Sequence, residues 1–182
     1  MPVHLWHDLP PGPNPPDTIY AVIEVPKGSR NKYEYSKRAG VIKLDRVLYS
    51  SLHYPGDYGF IPGTYFEDGD PLDILVMVNA PTFSGCVIEA RPVGVFKMID
   101  RGENDYKILA VPATDPNFHG YTDLKHIPEH FPIEVRHFFM TYKELEKAQV
   151  ENEGWDDAKE AKSMILESIR LYQENFPSRK EL

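Results

Sequence analysis

The sequence predicts an α+β domain, mainly β: a small barrel or curled antiparallel sheet followed by two helices. Between residues 19 and 111, apolar runs and alternating segments of strand length succeed one another across short turns. From Pro132 onward the apolar spacing changes to three- and four-residue steps, the period of a helix with one packed face. The helical patterns follow the strands instead of alternating with them, which separates α+β from parallel α/β classes. A chain of 182 residues suffices for one well-buried domain and is short for two, so residues 1–182 are read as one.

Residues 8–17 hold five prolines, so the leading segment 1–18 is expected to be extended, neither helix nor central strand. Ile19–Val25 reads as a strand with Glu24 inside it, ended by Pro26-Lys27-Gly28-Ser29. Lys32–Tyr35 and Val41–Asp45 alternate like half-buried antiparallel strands, with Ala39-Gly40 as their turn. Tyr54-Pro55-Gly56-Asp57-Tyr58-Gly59 reads as a turn-rich stretch. After the acidic loop Asp68–Asp73, the branched run Ile74–Val78 reads as a buried strand. Val87–Ile99 is one strand bent at Pro92-Val93-Gly94, and after a second acidic turn Tyr106–Val111 is its hairpin partner. The first helix shows Val135, Phe138, Phe139, Tyr142 and Leu145 on one face. The second, after Gly154, shows Ala158, Ala161, Ile165, Ile169, Tyr172 and Phe176.

With 41% apolar and 26% charged residues the composition is that of a globular protein, which argues against disorder. The net charge of −8 disfavours a general binder of phosphate backbones, so any anion must meet a local basic cluster. A single cysteine, Cys86, excludes an intrachain disulfide and a Cys-based zinc cluster, and fits a reducing compartment. No segment approaches the length of a membrane span, and the N-terminus lacks the basic-then-apolar order of a signal peptide. A cytoplasmic location is the expectation.

The densest chemistry lies in Asp68-Gly69-Asp70-Pro71-Leu72-Asp73. Three carboxylates so close repel one another unless a positive group sits among them. Asp68 and Asp70 point to one side of an extended segment, and Pro71 favours that conformation. Asp73 joins them only if the chain bends near Pro71, which Gly69 assists. Oxygen ligands on a loop anchored by a buried strand suit hard cations such as magnesium. An EF-hand calcium loop is disfavoured, because its fifth and sixth positions would be Leu72 and Asp73. Alone, the loop is compatible with a cation site or with a solvated acidic turn.

The wider pattern resembles the soluble family I inorganic pyrophosphatases of the prokaryotic type. Asp68–Ile74 matches that family's aspartate motif at each position. Around it stand Glu24 in Val-Ile-Glu-Val-Pro, Lys32 and Glu34 in Lys-Tyr-Glu, Arg46 in Asp-Arg, and Tyr54 and Tyr58 in Tyr-Pro-x-x-Tyr-Gly. Arg91–Val95, Lys97-Met98, Asp100, Asp105, Lys107 and finally Tyr142-Lys143 on the first helix complete it, so the match runs from Ile19 to the second helix. Arg101 and Asn104 depart from it, standing where family members often carry acids.

The resemblance implies an OB-like five-stranded closed antiparallel barrel with two C-terminal helices, a homohexamer, and magnesium-dependent hydrolysis of inorganic diphosphate to two phosphates. By matched position, Asp68, Asp73 and Asp105 would be ligands of activating metals, and Asp100 would join Asp105 around a metal arriving with substrate. Asp70 would accept the proton of the attacking water. Lys32, Arg46, Tyr58, Lys107, Tyr142 and Lys143 would bind phosphate, Glu24 and Glu34 would support the metals, and Tyr54 would assist.

Electrostatics points the same way. If these acids and bases share one cavity, seven carboxylates outnumber four cations before any diphosphate arrives, so several divalent ions are needed, and they would lower the pKa of a shared water. Read singly, Tyr142 would be core and Lys32, Arg46 and Lys107 exposed strand positions; the conjunction makes them a site. His126 and His130 flank Pro128 and lack a His-Glu-x-x-His frame, so they read as surface residues. The alternatives are a non-catalytic OB-type module for single-stranded nucleic acid, which the acidic charge opposes, and a metal-dependent phosphatase for an organic phosphate.

Overall fold

A computed structural model describes residues 3–179. Among these residues, nine strands precede or separate two helices: β1 (Ile19–Val25), β2 (Asn31–Ser36), β3 (Val41–Val47), β4 (Asp57–Phe60), β5 (Asp73–Val76), β6 (Val87–Asp100), β7 (Glu103–Asn104), β8 (Lys107–Pro112) and β9 (Val150–Asp157), with α1 (His130–Thr141) and α2 (Ala158–Asn175). The pairings β1–β4, β4–β5, β5–β8, β8–β6 and β6–β1 close on themselves, giving the expected five-stranded ring with two C-terminal helices. One pairing differs from expectation. β5 and β8 are parallel, because the 30 residues between them (77–106) include β6, the long strand that returns the chain to the same end.

The two faces of the strands feed separate clusters. On β5, Ile74 and Val76 pack with Ala161 and Ile165 of α2, whereas Leu75 packs with Val135, Phe138 and Phe139 of α1. Because both faces are covered, β5 and β8 read as continuous apolar runs. β6 bends where Pro92 and Gly94 interrupt its register with β8, as the sequence suggests. The β2–β3 hairpin forms its own two-stranded sheet beside the ring.

Several local expectations change. The stretch expected as turn carries β4, whose four residues are all buried between β1 and β5. β9 was not apparent at all; it is an edge strand on β6, and its polar sequence shows little apolar alternation. α1 begins at His130, two residues before Pro132, and ends at Thr141. Leu145 therefore lies beyond it, in a 3₁₀ turn over Glu144–Glu146, 63% exposed instead of core. The leading segment is not extended: from residue 3 it folds in turns and buries Trp6 against Val22, Tyr35, Phe60 and Tyr172.

β4 passes very close to β1. A Cβ on Gly59 would lie 1.8 Å from the Val22 carbonyl oxygen. Gly59→Ala is expected to cost on the order of 4 kcal/mol or more, read as a lowered urea midpoint; unchanged stability would contradict this register.

Candidate active site

Both bulges beside β1 and β3 aim side chains. Between β1 and β4, Ile23 pairs with Gly59 and Val25 with Tyr58, leaving Glu24 as the extra residue, turned into a cavity. The Tyr35 N–H donates to Glu24 Oε1 at 2.7 Å and fixes it there. Between β2 and β3, Asp45 is the extra residue, and Lys32 lies opposite Arg46. β4 supplies Tyr58, the first residue of β5 is Asp73, β6 ends in Asp100, and β8 begins with Lys107.

These elements enclose a cavity of about 280 Å³. Glu24, Lys32, Glu34, Tyr58, Asp68, Asp70, Asp73, Asp100, Asp105, Lys107, Tyr142 and Lys143 all line it. Arg46 and Tyr54 do not. Arg46 donates to Asp45 Oδ2 at 2.6 Å, and its Nε faces Glu146 Oε1 at 2.9 Å in an ion pair without hydrogen-bond alignment. Tyr54 is buried beneath the cavity, its ring 5.3 Å from Tyr58, 4.7 Å from Phe138 and 6.5 Å from Tyr142, so its contribution is to seat those rings. Tyr142 caps α1 where the sequence suggested the helix continued, which leaves Lys143 free of the helix and 2.5 Å from Asp100 Oδ2.

Sequence reasoning missed Tyr35, Lys37 and Glu103, which also line the cavity, as does Asn104. Lys37 pairs with Asp70. Asn104, one of the two departures from the family pattern, donates to Glu67 Oε2 at 2.8 Å; Arg101, the other, is exposed at a left-handed φ of 54° and does not line the cavity. His126 is exposed, with its ring on Thr122 and its N–H donated to the Asp123 carbonyl at 3.0 Å.

Eight carboxylates line the cavity against four lysines. Lys107 is buried between Asp73, whose Oδ2 is 2.5 Å from its ammonium, and Asp105. Tyr58 donates to the same Asp73 oxygen at 2.6 Å, and the Lys107 ammonium donates to the Tyr58 hydroxyl at 3.1 Å. Burial opposes the charge of Lys107, but Asp105 and Asp73 outweigh it and raise its pKa above the ordinary lysine value. Burial pushes the Tyr58 phenol well above its usual range, with Asp73 adding to it. The Glu24 carboxyl rises to about 8, chiefly by desolvation. Desolvation and the neighbouring Asp73 and Asp105 push Asp68 up to about 6.

Ammonium groups stand between the acids, and among the described residues no three of them are arranged as a ready-made metal cage. The donor set nonetheless fits a hard divalent ion. It consists of carboxylates without cysteine or histidine, and Asp100 Oδ1 is buried without a hydrogen-bond partner.

The family model for inorganic pyrophosphatase matches residues 21–173, from β1 to α2, so every residue of the cavity falls inside it. The chain belongs to the inorganic pyrophosphatases. It is 54% identical over 175 residues to an inorganic pyrophosphatase of Haloferax volcanii, covering 96% of this chain and 99% of the relative. Soluble inorganic pyrophosphatase 2 of Chlamydomonas reinhardtii is 45% identical, with 97% and 92% covered. The crystal structure of the Thermus thermophilus inorganic pyrophosphatase superposes with a TM-score of 0.91 at 44% identity, over 94% of this chain and 99% of that one. This pyrophosphatase therefore keeps family sequence and fold across both the ring and the helices that carry its cavity.

Proposed function

We propose that the protein hydrolyses inorganic diphosphate to two phosphates as one domain with several magnesium ions per site. The observation that carries this is the cavity itself, in which acids and lysines alternate within a family member. Magnesium held by Asp68, Asp73, Asp100 and Asp105, with Glu24 and Glu34 in support, would neutralise charge and make a water in the cavity more acidic. Asp70 takes a proton from the attacking water, whose oxygen bonds to one phosphorus as the bridging P–O bond on that phosphorus breaks. The bridging oxygen leaves with the second phosphate.

Lys32, Tyr58, Lys107, Tyr142 and Lys143 hold the phosphate oxygens from the cavity wall, and Arg46 would join them only by turning from Asp45 and Glu146. Lys107 and Tyr58 are protonated at neutral pH as ordinary lysine and tyrosine are, and their raised pKa values only strengthen that, so both remain donors. In parallel assays with magnesium, phosphate release from diphosphate is expected to exceed release from ADP or a phosphate monoester by at least about 10²-fold, since two charged ends fill the site. Comparable rates on the organic substrates would favour the broader phosphatase reading.

The protein is also proposed to be cytoplasmic, to have no nucleic-acid partner, and to assemble as a homohexamer. No described helix is long and apolar enough to cross a membrane. Filter binding is expected to retain no oligonucleotide. Sedimentation is expected to give six times the 20.9 kDa chain mass, and a monomer mass would refute the hexamer.

A further inference from the structure

We infer that Lys37 is a positioning residue for Asp70 and that the leading segment around His4–Trp6 holds Lys37 in place. The inference rests on the reading of Asp70 as the proton acceptor. The acidic loop fixes only the backbone of Asp70: its carbonyl accepts from the Phe66 N–H at 2.8 Å, and its N–H donates to Asp68 Oδ1 at 3.0 Å. The side chain has one partner among the described residues, the Lys37 ammonium on Oδ1.

Lys37 stands in the turn after β2, and its side chain is 44% exposed. A four-carbon chain at such a place is too mobile to aim a carboxylate unless something restrains it. The leading segment supplies two restraints. The Trp6 ring lies under the ammonium, 5.2 Å from its centroid, and His4 Nε2 meets the Lys37 carbonyl oxygen at 2.9 Å.

Trp6 is anchored to the acidic side of the cavity as well. Its Nε1–H donates to the Thr64 carbonyl at 2.8 Å, its own carbonyl accepts from the Gly63 N–H at 2.9 Å, and the Thr64 hydroxyl accepts from the Leu72 N–H at 3.0 Å. Leu5 N–H donates to the Tyr35 hydroxyl at 3.0 Å. One short segment therefore ties the turn that bears Lys37 to the loop that bears Asp70. A proton acceptor misplaced by about 1 Å loses on the order of 10²-fold in rate, which is the scale on which such a tie matters.

The test is steady-state kinetics on diphosphate with saturating magnesium. Lys37→Met is expected to lower kcat about 10- to 100-fold with KM within about twofold, and Lys37→Arg to recover most of it. Trp6→Leu lowers kcat in the same direction, and combining it with Lys37→Met lowers it no further; His4→Ala replaces it should that variant not fold. A raised KM with unchanged kcat would make Lys37 a substrate ligand instead and overturn the inference, as would an unaffected Lys37→Met. A second readout needs no turnover. In metal-free protein, trinitrobenzenesulfonate labelling of Lys37, mapped by peptide, is expected to run several-fold faster in Asp70→Asn and in Trp6→Leu than in the parent, and equal rates overturn the inference. A parent inactive on diphosphate defeats the functional reading and this one with it, whereas an active parent with an indifferent Lys37→Met defeats this one alone.

Discussion

Asp70→Asn is expected to lower kcat on diphosphate by about 10²- to 10⁴-fold, the range that a positioned proton acceptor contributes. The amide has nearly the shape of the carboxylate, but it takes up no proton at neutral pH and offers Lys37 no ion pair. Stability should hardly change, because the side chain is 53% exposed and the backbone bonds of the loop do not involve it. A surface substitution of this kind stays within about 0.5 kcal/mol. Rates from initial velocities and a thermal melt on the same sample separate the two effects. Full activity in Asp70→Asn would remove Asp70 from the chemistry.

Lys107→Met is expected to cost stability through charge, where Gly59→Ala does so through backbone overlap. The methionine fills much the same space, yet it leaves the buried side of Asp73 and Asp105 without a cation. Breaking a buried pair in this way costs about 3–5 kcal/mol, against the small gain from burying methionine. The sign with pH follows from the acids left behind. Without Lys107 their carboxyl pKa values in the folded state rise above the unfolded value, so the folded form binds protons more tightly. The deficit is therefore full at neutral pH and shrinks as pH falls toward the ordinary aspartate range of about 4. Urea unfolding of metal-free protein at pH 7 and pH 5 reads this directly. A deficit independent of pH would mean that lost packing, and not unpaired charge, is responsible.

The acidic loop, β1 and α2 were legible because each depends on local rules: turn residues, an apolar run between breakers, and an amphipathic stripe; the Asp157 cap that starts α2 comes from the structure. The bend in β6 was legible from Pro92 and Gly94 for the same reason. β4 was not, since Pro55 and Gly56 signal a turn and its four residues owe their conformation to the neighbours on each side. β9 shows tertiary context overriding propensity: Glu151, Asn152, Glu153 and Gly154 are poor strand formers that pair along β6 as an exposed edge. Leu145 continued the helical spacing past the last helical residue, and spacing alone does not mark where a helix stops.

The site divides similarly. Its acids and most of its bases were readable as a motif set, and they line one cavity. Arg46 and Tyr54 belong to the same set but lie outside it, one drawn to Asp45 and Glu146, the other packed below as a platform. Lys37 had no motif to mark it. Its place beside Asp70 depends on a leading segment folding across the strands, which proline content alone does not foretell. Glu24 was read as a strand residue, and only the bulge explains why it faces the cavity.

The central claim is tested most directly by measuring phosphate release from diphosphate in the parent and in Asp70→Asn, each with magnesium and with excess chelator. The parent with magnesium should be active, chelation should abolish that activity, and Asp70→Asn should remain at least about 10²-fold slower with magnesium present. Undiminished turnover under chelation, or equal turnover by the two proteins, would contradict the account.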